Sequence, residues 1–224
     1  MAYLILVLPA FLLSLYAQFK VKSTFNRYSK VRSARGYKGA EVAAALLRNN
    51  GMSGNVAIEP VRGSLTDHYD PNTRVVRLSE TVYGSNSISA IGVAAHEVGH
   101  AIQHQQQYGP LELRHKIVPV TNIASSASMP ILLVGLIFYN TNLILLGIIL
   151  FSAVVLFHLV TLPVELNASR RAVAQLSDAG VITNDEVPMV KKVLGAAALT
   201  YVAAALAAIA NLLYYLMIFA SGDD

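Results

Sequence analysis

The sequence predicts a mainly α-helical, polytopic membrane protein, with about four transmembrane helices and a small α+β domain on the cytoplasmic side. Three observations predict this. Residues 1–19, 117–164 and 193–222 contain no Asp, Glu, Lys or Arg. A span needs about 20 mostly apolar residues, so the middle stretch is long enough for two. Only 13% of the chain is charged, about half the usual share of a soluble domain. Finally, all 17 Lys and Arg fall within 20–116 or 165–192, the bias that orients membrane proteins with their positive side in the cytoplasm. The chain divides accordingly into a first span (1–19, N-terminus outside), a cytoplasmic domain (20–116), a transmembrane hairpin (117–163), a second cytoplasmic segment (164–193) and a last span (194–220).

Each element has a local cause. Residues 1–19 resemble a signal peptide in length, but their positive charges follow the apolar core instead of preceding it, so a retained helix fits better. Pro9 is tolerated there, as membrane helices allow. The basic run from Lys20 to Lys38 contains no acid. It reads as a topological anchor on anionic lipid, with nucleic-acid binding a distant second despite the net charge of +4. Glu41 to Leu47 is a short Ala-rich helix capped by Asn49-Asn50-Gly51. Residues 55–61 read as a strand with Pro60 marking an edge or end. Residues 65–69 and 73–79 flank the turn Asp70-Pro71-Asn72 and form a hairpin.

A longer helix follows, capped by Asn86 or Ser87 and running to about Gln107. Tyr108-Gly109-Pro110 ends it. Spans over about 117–138 and 143–162 are joined by the polar turn Tyr139-Asn-Thr-Asn142, and Pro163 breaks or kinks the second one's end. Residues 166–192 read as amphipathic and exposed, with a helix start at Thr183-Asn-Asp-Glu186 and Pro188 in its first turn. In the last span, Ala203, Ala204, Ala207 and Ala208 permit close helix packing.

The chemistry lies in Val93-Ala-Ala-His96-Glu97-Val-Gly-His100-Ala-Ile-Gln103, which carries an H-E-x-x-H motif. Two His four residues apart on a helix share one face, from which both imidazoles can reach one Zn²⁺. Glu97 lies close enough to take a proton from water at the metal. Gly99 costs up to about 1 kcal/mol relative to Ala in a helix interior, which suggests a close neighbour. A catalytic zinc takes three protein ligands, and the chain has no cysteine. The third ligand is therefore His, Glu or Asp. His104 sits about 12 Å along the axis from His96, from the 1.5 Å rise per residue, too far to share one ion. Glu165 is better placed: an even number of spans separates it from His100, and it directly follows a span. Its alternative role is an interfacial carboxylate beside Arg170 and Arg171. Glu112, Asp178, Asp185 and Glu186 lack comparable anchorage.

Asp67-His-Tyr-Asp-Pro71, Val75-Val-Arg-Leu-Ser79, Val93 through Gln103, and Pro163-Val-Glu-Leu-Asn-Ala-Ser-Arg-Arg-Ala172 resemble the YugP-type family of bacterial membrane zinc metallopeptidases. With the span pattern they cover nearly the whole chain. More distantly the chain resembles HtpX-type membrane proteases, in which a Glu after a membrane helix completes the zinc site. That resemblance makes Glu165 the third ligand beside His96 and His100. HtpX-like enzymes have Asp four residues after this Glu. Here the position is Ser169, so Asn167 or Ser169 must be argued afresh as the partner of a zinc-binding His.

The expected function is zinc-dependent endoproteolysis by a gluzincin-like enzyme with a small zincin-like catalytic domain and Glu97 as general base. Its substrates would be proteins or peptides, with an edge strand of the sheet binding extended chain. His68, Tyr69, Tyr83, Arg170, Arg171 and Tyr201 are candidates for the oxyanion donor. His158, an ionisable group in a span, reads as a neutral, hydrogen-bonded residue. The resemblance implies a multi-pass protein of the bacterial inner membrane, its active site facing the cytoplasm, with a role in membrane-protein quality control. The rival from another class is a catalytically silent zinc-binding scaffold. Metal transport is disfavoured, because few polar groups occupy the spans.

Overall fold

The computed structural model describes residues 2–221. In chain order the elements are α1 (Ala2–Tyr28), α2 (Gly39–Asn49), β1 (Ala57–Val61), β2 (His68–Asp70), β3 (Val75–Ser79), α3 (Glu80–Tyr83), α4 (Ile88–Gln105), α5 (Gly109–Ile137), α6 (Thr141–Asp178) and α7 (Val187–Ser221). The chain is thus mainly helical with a small three-stranded sheet. Four helices, α1, α5, α6 and α7, are long and apolar enough to cross a membrane. The residues form two compact units.

One unit takes α1 up to Gln18, Gly109–Pro163, and α7 from Thr200. The α5–α6 reversal has a local cause. The Asn140 side chain accepts the Leu143 N–H at 3.1 Å, while the Asn140 N–H returns to the Gly135 carbonyl at 2.8 Å. Small residues then bring the two helices together: a Cβ on Gly135 would lie 2.7 Å from the Ile144 backbone nitrogen. Leu132, Ile148 and Tyr215 form the buried cluster of this unit. Ile5, Ile123, Ile137 and Phe138 point outward, a surface suited to acyl chains rather than water.

The other unit takes Phe19–Tyr108 and Val164–Leu199. Helix α4 is its axis, with Ile88, Ala90, Ile91, Ala94, Val98 and Ile102 almost wholly buried. The Ser87 hydroxyl accepts the Ala90 N–H at 3.2 Å and caps it. The sheet has the order β1-β3-β2. β2 pairs antiparallel with β3, with His68 opposite Arg77, as a hairpin requires. β1 runs parallel to β3, with Ile58 opposite Val76. The central β3 is mostly buried.

Three boundary expectations are corrected. Pro163 does not end its helix: α6 continues to Asp178, as a proline can be accommodated where neighbouring groups re-satisfy the backbone. The segment after it is not simply exposed, because Ala168, Ala172, Leu176 and Val190 are fully buried in the core around α4. Tyr108-Gly109-Pro110 does separate two helices, since α4 stops at Gln105, but the helix that holds the second span begins at Gly109 and not near 117, with Pro110 in its first turn where no N–H is needed.

Candidate metal centre

The centre is assembled within one compact unit from α4 and from the part of α6 that follows Pro163. The His96 and His100 rings stand edge-to-face with centroids 4.8 Å apart, as the one-turn spacing dictates. The third member is brought in by backbone proximity. Gly99 has no side chain where α6 passes, and a Cβ there would sit 2.8 Å from the Ala168 carbonyl oxygen. That contact accounts for glycine inside α4, and it sets Glu165, nearly one turn before Ala168, facing both imidazoles.

Glu165 Oε2 lies 3.2 Å from His96 Nε2 and 3.5 Å from His100 Nε2. Its side chain is 2% exposed. One ligand atom from each residue falls within 4.8 Å of the other two. Glu97 is buried beside them. Burial raises the Glu97 pKa above the ordinary carboxylate value, and Glu165 and Asp67 push the same way against the two imidazoles. Burial opposes charge on His100, yet the facing Glu165 carboxylate outweighs it and raises the His100 pKa.

The surrounding hydrogen bonds test whether these groups suit a metal. Gln103 Nε2 donates to the Val164 carbonyl and to Asn167 Oδ1, each at 2.9 Å. Its Oε1 is therefore the atom 3.0 Å from His100 Nδ1, and an oxygen there requires Nδ1 to carry a proton. For the neutral ring, the lone pair is left on Nε2, aimed at the Glu165 carboxylate. Arg171 Nε donates to the same Asn167 oxygen at 2.6 Å and Nη1 to Gln106 at 2.6 Å, so the chain of donors has one consistent direction. His96 Nδ1 meets Ser169 Oγ at 3.2 Å. Two imidazole nitrogens and a carboxylate, with both Nδ1 atoms occupied from behind, are the donor set and the backing that a zinc ion takes. The residues fit the ion.

The remaining sequence candidates separate. His104 turns to Tyr69, whose hydroxyl is 2.9 Å from its Nδ1. His68 sits with the Thr66 carbonyl and Arg77. Arg171 is engaged by Asn167 and Gln106, and Arg170 donates to the Leu166 carbonyl at 3.3 Å. Tyr83 packs against the core. His158 and Tyr201 belong to the other unit. Two contributors were missed in the sequence. Gln103 could have been found three residues after His100, on the same helical face. Asp67 accepts the Ser79 N–H at 2.6 Å and hydroxyl at 3.0 Å and bears electrostatically on Glu97. No local sequence signal ties it to α4.

Comparison with known proteins gives a consistent result. The family model described as "Putative neutral zinc metallopeptidase" matches residues 3–220. The protein named "Putative membrane protease YugP" of Bacillus subtilis (strain 168) is 57% identical over 224 residues, covering 100% of this chain and 99% of that protein. No solved structure matches the chain.

Proposed function

From the premise that the chain belongs to the YugP-type family of zinc metallopeptidases, we propose that it is a membrane-embedded zinc-dependent endopeptidase acting on protein substrates at the cytoplasmic face of the bacterial inner membrane. The observation that carries the reading is the convergence of His96, His100 and Glu165 with Glu97 buried beside them. His96, His100 and Glu165 would hold the ion in a gluzincin-like arrangement. Zinc in such a donor set supplies Lewis acidity to the scissile carbonyl and to water. Glu97 accepts the water proton and returns it to the leaving amine. Gln103 and Ser169 keep the two rings oriented. β2 is an outer strand of the sheet and follows directly on Asp67, so its open edge is the place for an extended peptide to add as a further strand.

A silent scaffold would close its ion off. Here His96 keeps 14% and His100 11% of the side chain exposed, which favours a site reached by substrate. Disposal of damaged membrane proteins is the role this reading assigns. The test is metal analysis with cleavage of an unfolded membrane substrate. Glu97→Gln is expected to keep zinc and lose at least about a hundredfold in rate, the scale of general-base catalysis, whereas His96→Ala loses the zinc as well. A wild-type protein without zinc, or normal cleavage by Glu97→Gln, overturns the assignment.

A further inference from the structure

A cleft of about 490 Å³ opens in the unit that contains α4, between the end of α1 and the start of α7. From α1 it receives Lys20, Thr24 and Arg27, whose i, i+4, i+7 spacing places them on one helical face. Lys192 faces them from α7, and Gly195, Ala196 and Leu199 complete an apolar floor. Three cations therefore line one cleft with no carboxylate in the lining, and among the described residues none of the three is in an ion pair. Thr24 and Tyr28 also line the cleft. A Cβ built on Gly195 meets nothing within 4 Å, so the floor beside it is open. Its volume lies in the range of small-ligand sites.

Like charges gathered without a counterion repel one another, and an anion relieves that repulsion. What kind of anion follows from position. Lys20 directly succeeds residues 1–19 and Lys192 directly precedes 193–222, two stretches with no charged side chain. In a chain read as spanning the membrane, the cluster stands where apolar helix meets headgroup. Cations and apolar residues lining one cleft match a phosphate joined to acyl chains, whereas a free phosphate has no use for Ala196 and Leu199. We propose that this cleft is a binding site for an anionic phospholipid, its phosphate held by Lys20, Arg27 and Lys192 and its glycerol and acyl portion lying over Gly195 and Leu199. This goes beyond a general attraction of the basic run to the bilayer, because Lys22, Lys30 and Arg35 of that run do not line the cleft.

The test uses the full chain in detergent micelles doped with phosphatidylglycerol and phosphatidylcholine, reading the retained lipid by native mass spectrometry. Each basic residue in contact with the bound headgroup contributes about a fivefold preference for anionic lipid. Lys20→Gln/Arg27→Gln/Lys192→Gln should therefore reduce the phosphatidylglycerol preference roughly a hundredfold. Lys22→Gln/Lys30→Gln/Arg35→Gln removes as much charge outside the cleft and should change it by less than about twofold. Gly195→Leu leaves every charge in place but fills the floor, and should reduce retention at least about tenfold. It decides the matter should the first variant fail to fold. The proposal is overturned if the two triple variants lose lipid equally, if Gly195→Leu retains it normally, or if inorganic phosphate displaces the lipid at equal concentration.

Discussion

Gln103 shows how much one side chain can settle. Its amide nitrogen has two acceptors, so its oxygen must receive the Nδ1 proton of His100, and the ring nitrogen that faces Glu165 is fixed by a residue outside the His96–His100–Glu165 group. Gln103→Met keeps the approximate volume but removes this bond. Partners of this kind are worth about ten- to a hundredfold in metal affinity, and that loss is the expected result in a chelator competition with the purified protein. Glu97 allows a second expectation. Burial raises its pKa, and a protonated carboxyl cannot accept a proton, so activity is lost as pH falls through that raised value. Asp67 contributes to the rise. Asp67→Asn should therefore move the acid limb of the kcat/KM profile to lower pH. An unmoved limb would remove Asp67 from the electrostatics of the site.

At the scale of elements, the site depends on how closely α4 and α6 approach. Gly99→Ala would gain helix propensity of up to about 1 kcal/mol. The atoms it meets, however, are the Ala168 backbone at 2.8 and 3.3 Å, which cannot rotate away. Overpacking of this kind costs about 1–3 kcal/mol, so the clash prevails. The helices part near Glu165, and both Tm and zinc affinity are expected to fall together. The same scale explains what was legible. Helix periodicity put His96, Glu97 and His100 on one side of a helix, and Asn86 or Ser87 was its expected cap, of which the structure uses Ser87. Asp70-Pro71-Asn72 marked the hairpin. Parallel pairing of β1 with β3 had no such mark, because the register of strands distant in sequence is set by the burial of β3 and not by a turn. The continuation of α6 through Pro163 was equally invisible, since a proline's effect on a helix depends on what packs around it.

For the molecule as a whole, the four apolar helices and the one-sided distribution of Lys and Arg imply an even number of crossings between the two basic segments. The absence of cysteine makes this easy to check. Cysteine placed at Asn142 should react with an impermeant maleimide in intact cells, and cysteine at Ser64 only after the cells are opened. Reaction of both from outside would put the proposed cytoplasmic active site on the wrong face.

The sequence by itself determined the helical class, the number of candidate spans and the paired histidines with their neighbouring glutamate, and family resemblance pointed to Glu165, which the structure sets beside both imidazoles. These are properties of composition and of short-range periodicity, which physics reads locally. Only the tertiary structure decided that Ala168 lies against Gly99, that Gln103 and not Asn167 holds His100, that Ser169 meets His96, and that Lys192 lines one cleft with Lys20 and Arg27. All but the His100–Gln103 bond join segments dozens of residues apart, and that bond takes its direction from acceptors on the distant α6. Such pairings are chosen by the shapes of packed surfaces, and no single stretch of chain carries that information.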